Sequence, residues 1–278
     1  MSRFIKESVQ VLDLISWVLT ALFFCGSAVY FGGDLFNSFL GAMGVVLIMF
    51  LVGTSVEVII ETMKNVPGIG TLTGFLTNGP EALVVIVGLI GGDILFASST
   101  PLGSNFMNPM LLMIAALLAK RMGAVWKVCP IYFSISMLVT IVLAGGFYLI
   151  QEGDYWLWLA ILLPTSVLLF FKRPPEANNE QDEDLSIAKI WLWPAAVVLV
   201  VSGYFLDPVV GYASDSSQVP KGVIGFVVLS ILTSWPEFKS VLALLRRDMA
   251  LASVLNIVVS NLTNLWLASG GVVIYLLL

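Results

Sequence analysis

The stretch Thr77–Asn108 reads TNGPEALVVIVGLIGGDILFASSTPLGSNFMN. A carboxylate, Glu81, follows Pro80 in otherwise apolar sequence, and Ser104, Asn105 and Asn108 close the stretch 23 to 27 residues after it. The same skeleton returns 156 residues on as Thr233, Pro236, Glu237, Ser260, Asn261 and Asn264, with no gap. An isolated carboxylate in a membrane span costs several kcal/mol, so each glutamate is expected to face protein or a water-filled cavity. Pro80 and Pro236 lack an N–H and break the helical ladder, which frees carbonyls near Leu76 and Thr77 and near Leu232 and Thr233. Unwound backbone at membrane depth is tolerated where it lines such a cavity. Ser104 and Asn108 stand i and i+4 on one helix face, and Ser260 and Asn264 repeat that spacing.

The rest of the chain is the right solvent for such a site. Of 278 residues, 59% are hydrophobic and only 11% charged, about half the charged share of ordinary soluble domains. The mean hydropathy is +0.99. The fold class expected is an all-α polytopic membrane protein of about nine transmembrane helices. The apolar segments run 11–32, 40–63, 69–91, 94–119, 126–149, 155–171, 188–206, 221–245 and 250–278. Trp156, Trp158, Trp191 and Trp193 fall at segment ends, as in an aromatic belt. The chain has no histidine and two cysteines, Cys25 and Cys129, so imidazole chemistry and a disulfide framework are excluded. No basic patch points to nucleic acid, and no nucleophile elbow or phosphate loop points to an enzyme.

Orientation follows from positive charge. Arg3/Lys6, Lys64, Lys120/Arg121/Lys127, Lys172/Arg173 and Arg246/Arg247 alternate with acidic loops holding Asp34, Asp93, Glu152/Asp154 and Asp207/Asp215. Nine crossings put every basic cluster on one side, with Lys221 the main exception, and with a cytoplasmic N-terminus and an outer C-terminus in a prokaryotic inner (plasma) membrane. The two repeated stretches then cross in opposite directions. Inverted repeats with discontinuous helices at the ion site are the signature of secondary transporters. The chain divides as 1–39 (an extra N-terminal helix), 40–171 (first repeat, motif 77–108), 172–187 (an acidic, mobile cytoplasmic loop) and 188–278 (second repeat, motif 233–264, shortened).

These motifs resemble the α-repeats of the cation/calcium exchanger superfamily, which includes the sodium/calcium exchangers. That family's pattern is G-T-S-x-P-E followed by G-N-x-x-G-S-N-x-x-N or D. Here the halves read LTNGPE with STPLGSNFMN and LTSWPE with LNIVVSNLTN. The resemblance implies an antiporter exchanging Ca²⁺ for Na⁺ by alternating access. Glu81 and Glu237 would be central ligands, Thr77 and Thr233 would offer carbonyls, Ser104 and Ser260 would line sodium sites, and Asn108 would sit at the central site. Asn264 stands where many members carry Asp, and it is expected to face Asn108 as a neutral ligand. Thr100 replaces the family's Asn, which Asn256 keeps.

Two glutamates balance one divalent cation, and an emptied pair would take protons or monovalent ions. No cofactor is expected beyond the transported ions, Ca²⁺ with Na⁺ or H⁺. The partners expected are membrane lipid and those cations, with a homo-oligomer as one arrangement. An H⁺-coupled exchanger of the same fold stays open as an alternative, and so, from another class, does a channel or a non-transporting scaffold. Lys239 is expected to snorkel to the cytoplasmic face. Glu61 reads as an ordinary helix end, and Glu57 as either that or an ion entry path. Family members usually have ten helices, five per repeat. The helix at 11–32 runs in the direction of the tenth and would stand in for it, unless the chain is truncated or a dimer completes the bundle.

Overall fold

The computed structural model describes residues 11–63, 66–90, 94–176, 189–219 and 234–277. Eleven α-helices are formed among them: α1 (Val11–Phe31), α2 (Leu35–Met63), α3 (Ile69–Leu76), α4 (Gly79–Ile90), α5 (Ile94–Leu118), α6 (Met122–Val128), α7 (Pro130–Phe147), α8 (Tyr155–Phe171), α9 (Leu192–Ser217), α10 (Trp235–Arg246) and α11 (Ala250–Leu277). Among the described residues seven are long and apolar enough to cross a membrane: those in α1, α2, α5, α7, α8, α9 and α11. The protein is a polytopic membrane protein, all-helical among the described residues.

Helix α11 is the axis of the bundle. It packs against α3, α4, α5, α7, α8 and α10, and 72% of its apolar window is buried, against 11% in α1. Burial all round requires small side chains. Helix α3 lies so close to α11 that a Cβ on Gly70 would stand 2.6 Å from the Ala252 Cα, and one on Gly74 2.6 Å from the Asn256 carbonyl oxygen. Outside this core, α2 pairs along its length with α9, and α1 lies on both.

Several boundaries differ from those expected. The segment drawn at 69–91 is two helices, because Thr77 and Asn78 form a turn between α3 and α4 just before Pro80. The segment at 126–149 breaks at Cys129, and Pro130 opens α7 at the first helical position, where its missing N–H leaves no bond unmade. Helix α9 runs on to Ser217 rather than ending at 206, so Asp207 and Asp215 lie within a helix. For the segment at 221–245, residues 221–233 lie outside the described residues, Thr233 among them. Of the four tryptophans assigned to a belt, Trp158 is buried and donates to the Leu143 carbonyl at 2.9 Å.

Two polar ties fasten the ends of short helices. The Glu176 carboxylate caps α3, accepting from the backbone N–H of Gly70 at 2.8 Å and of Thr71 at 3.0 Å, and from the Thr71 hydroxyl at 2.8 Å. The loop drawn at 172–187 is thus anchored where it leaves α8, and its residues 177–187 lie outside the described residues. Arg247, after α10, lies 3.4 Å from Glu57 and 3.1 Å from Glu61 at the end of α2. Both glutamates therefore serve in an ion-pair cluster at a helix end.

The close α3–α11 contact predicts that Gly70→Ala lowers the thermal stability of the detergent-purified protein by about 1–3 kcal/mol, the usual range for overpacking. Gly26, where an added methyl group would meet nothing within 4 Å, is the control. Gly26→Ala is expected to leave the melting temperature unchanged or slightly raised.

Candidate ion-binding site

The break between α3 and α4 places Glu81 in the first turn of α4, and Pro236, the second residue of α10, precedes Glu237 in that helix's first turn. Free N–H groups and the positive dipole end of a helix favour a carboxylate there. Both side chains are fully buried. The Glu237 carboxylate is near enough to Glu81 to act on it electrostatically. The fold thus brings together two acids 156 residues apart.

Around Glu237 the hydrogen bonds cross between the two stretches. The Ser260 hydroxyl stands 3.3 Å from Glu237 Oε1 and 3.0 Å from Asn78 Oδ1, sharing one proton between them. The Thr77 hydroxyl also lies beside the Glu237 carboxylate, while bonding the Thr73 carbonyl at 2.9 Å. Asn78 commits both amide hydrogens to backbone, donating to Gly74 at 2.9 Å and to Ser260 at 3.1 Å. Ser104 lies beside Glu81, and its hydroxyl reaches the Thr100 carbonyl of its own helix at 3.2 Å.

The asparagines split into two roles. Asn108 Nδ2 donates to Ser260 Oγ and to Asn261 Oδ1, each at 3.0 Å. Asn261 Nδ2 in turn reaches the Asn105 carbonyl at 3.3 Å and the Thr140 hydroxyl at 3.2 Å. These bonds lock the midpoint of α5 to α11 and to α7. Other atoms are buried without a hydrogen-bond partner: both Glu81 oxygens, Glu237 Oε2, Asn108 Oδ1, the whole amide of Asn105 and the whole amide of Asn264. Asn108 and Asn264 share no hydrogen bond: the Asn108 amide nitrogen is taken up by Ser260 and Asn261, while the amide oxygens of both stay unbonded. Unbonded buried acceptors in such numbers are uncommon in native proteins. Their chemistry is that of a hard-oxygen set for a cation. Among the described residues no three His, Cys, Asp or Glu side chains converge; the unbonded oxygens beside the two glutamates include the amide oxygens of Asn105, Asn108 and Asn264.

Of the eight predicted site residues, the structure gathers Thr77, Glu81, Ser104, Asn108, Glu237 and Ser260 into one contact network. It buries Asn264 nearby on α11 and does not describe Thr233. Sequence reading missed Asn78 and Thr140, and it marked Asn256 as a retained motif position without giving it a role. Asn256 Nδ2 ties Thr73 at 2.8 Å to Ser240 at 2.9 Å, linking α3, α10 and α11. Asn78 was legible as a polar residue in the turn before Pro80; Thr140 carries no repeat signal.

Lys239 does not snorkel. It is buried, and its ammonium meets Asp13 of α1 at 2.9 Å, because the lysine side chain leaves α10 toward α1 and α2 rather than along the helix toward its end.

No family model matches the chain. The inner membrane protein YrbG of Escherichia coli (strain K12) is 21% identical over 215 residues, 72% of this chain and 66% of that protein. The chain thus spans just under two thirds of the length of this curated relative. An inner membrane relative and seven apolar helices agree on a membrane location.

Ser104 and Ser260 are equivalent in sequence yet differently bonded. Ser260→Ala is expected to cost about 1–3 kcal/mol by stripping buried partners of their bonds, and Ser104→Ala much less. Thermal unfolding of the purified variants measures the difference; equal losses would contradict the bonding pattern.

Proposed function

We propose that the protein is a secondary active cation antiporter of the cation/calcium exchanger superfamily, exchanging Ca²⁺ for Na⁺ by alternating access. The observation that carries this reading is the buried pair Glu81 and Glu237, with three of its four carboxylate oxygens lacking a hydrogen-bond partner. Two such charges are not left bare in a low-dielectric bundle. They call for a counter-charge, and a divalent cation matches two carboxylates. The Asn108 and Asn264 amide oxygens are free to complete a shell of six to eight oxygens, the number calcium takes.

In this reading the two motifs, 77–108 and 233–264, are inverted repeats in a bundle of nine crossings. Basic clusters line the cytoplasmic side, the N-terminus is cytoplasmic and the C-terminus is outside. The broken helices α3–α4 and the start of α10 bring their first turns to the midplane, where discontinuous helices of transporters bind ions. Rocking of one repeat against the other opens the site to each side in turn. A site that must stay neutralised releases one ion only as others replace it, which is the physical basis of exchange. No covalent step is involved.

Asn264 favours a second reading. A neutral amide at that position removes one possible charge, which suits a proton or another cation as the counter-ion. Uptake of ⁴⁵Ca²⁺ into proteoliposomes separates the two: a Na⁺ gradient drives it in the first case, a pH gradient in the second. Glu81→Gln and Glu237→Gln are each expected to abolish uptake. Failure of both gradients in the wild type overturns exchange, and currents independent of any counter-ion mark a channel.

A further inference from the structure

Lys239 lies two residues beyond Glu237, about 3 Å further along α10 by the helical rise, and is 2% exposed. Its ammonium is 2.9 and 3.0 Å from the two carboxylate oxygens of Asp13, itself 5% exposed. Room for the lysine stem comes from α2, where a Cβ on Gly53 would stand 3.3 Å from the lysine Cε. The pair has no counterpart in the other half: the residue at the position equivalent to Lys239 is Leu83, and Asp13 lies outside both repeated stretches.

A buried ammonium so close to a cation site opposes the binding of any cation there, because unlike surface charges it is poorly screened. The geometry points to Asp13 as a positioning residue that sets the strength of cation binding without touching the ion. It neutralises Lys239, so that the site keeps the two negative charges of Glu81 and Glu237. It also holds the ammonium on the α1 side of α10, and residues i and i+2 do not share a helix face. Helix α1 thereby takes part in the chemistry of a site built by other helices. This inference rests on the cation-binding reading of the two glutamates.

The test compares wild type, Asp13→Asn, Lys239→Met and the double variant Asp13→Asn/Lys239→Met in proteoliposomes, reading the apparent KM for Ca²⁺ and the maximal rate. Asp13→Asn leaves the lysine charge uncompensated and is expected to raise KM about tenfold or more, the size of a unit charge acting over several ångströms of protein. Removing the lysine as well is expected to return KM to within about threefold of wild type, since the repulsion is gone. Equal rises in the single and double variants would show a packing role only and overturn the inference, as would no rise in Asp13→Asn. Should Asp13→Asn fail to yield folded protein, Lys239→Met decides: a lowered KM supports the inference, and an unchanged or raised one overturns it. A calcium-induced thermal shift of the same purified proteins repeats the comparison without turnover. If the wild type transports nothing but is stabilised by calcium, the exchanger reading falls while the ordering of the variants still tests the pair.

Discussion

Two carboxylates inside an apolar bundle are the constraint on which the structure turns. Neither Glu81 nor Glu237 reaches solvent, and each acts on the same small volume. Their placement costs free energy that hydrogen bonds only partly offset, for three of the four oxygens have no partner. The surrounding elements keep the pair in place. Each acid stands in the first turn of its own helix, one residue after a proline.

The polar atoms near the acids fall into two populations. One is fully engaged: the amide nitrogens of Asn78, Asn108, Asn256 and Asn261 tie α3, α5, α7, α10 and α11 together. Such networks are strong where bulk water is excluded. The other is unengaged: acceptor oxygens of Glu81, Glu237, Asn108 and Asn264. Engaged donors and free acceptors thus lie side by side in one buried volume.

Close backbone approach makes this arrangement possible. With glycines at 70 and 74, α3 settles onto the backbone of α11, and the Asn256 amide then spans to Thr73 at 2.8 Å. Glu176 holds the start of α3 from the far end of α8. The charged groups of α10 and of the turn after it are paired: Lys239 with Asp13, and Arg247 with Glu57 and Glu61.

The chain's residues determine a great deal without any coordinates. Apolar composition dictates a helical membrane protein, because only closed backbone bonding survives in lipid. The repeated Pro-Glu and Ser-Asn pattern marks Glu81, Glu237, Ser104, Asn108 and Ser260, since polar residues in a span must have a reason to be there. What remained for the tertiary structure were relations between distant residues. That Asn108 donates to Ser260 and Asn261 depends on the relative rotation of α5 and α11, which no local signal encodes. That Lys239 turns inward to Asp13 depends on a gap left by Gly53 on a third helix, 186 residues away. Hydropathy reports whether a residue is in the membrane; only packing decides which neighbour it meets there, because side-chain contacts between helices are set by their mutual rotation and distance.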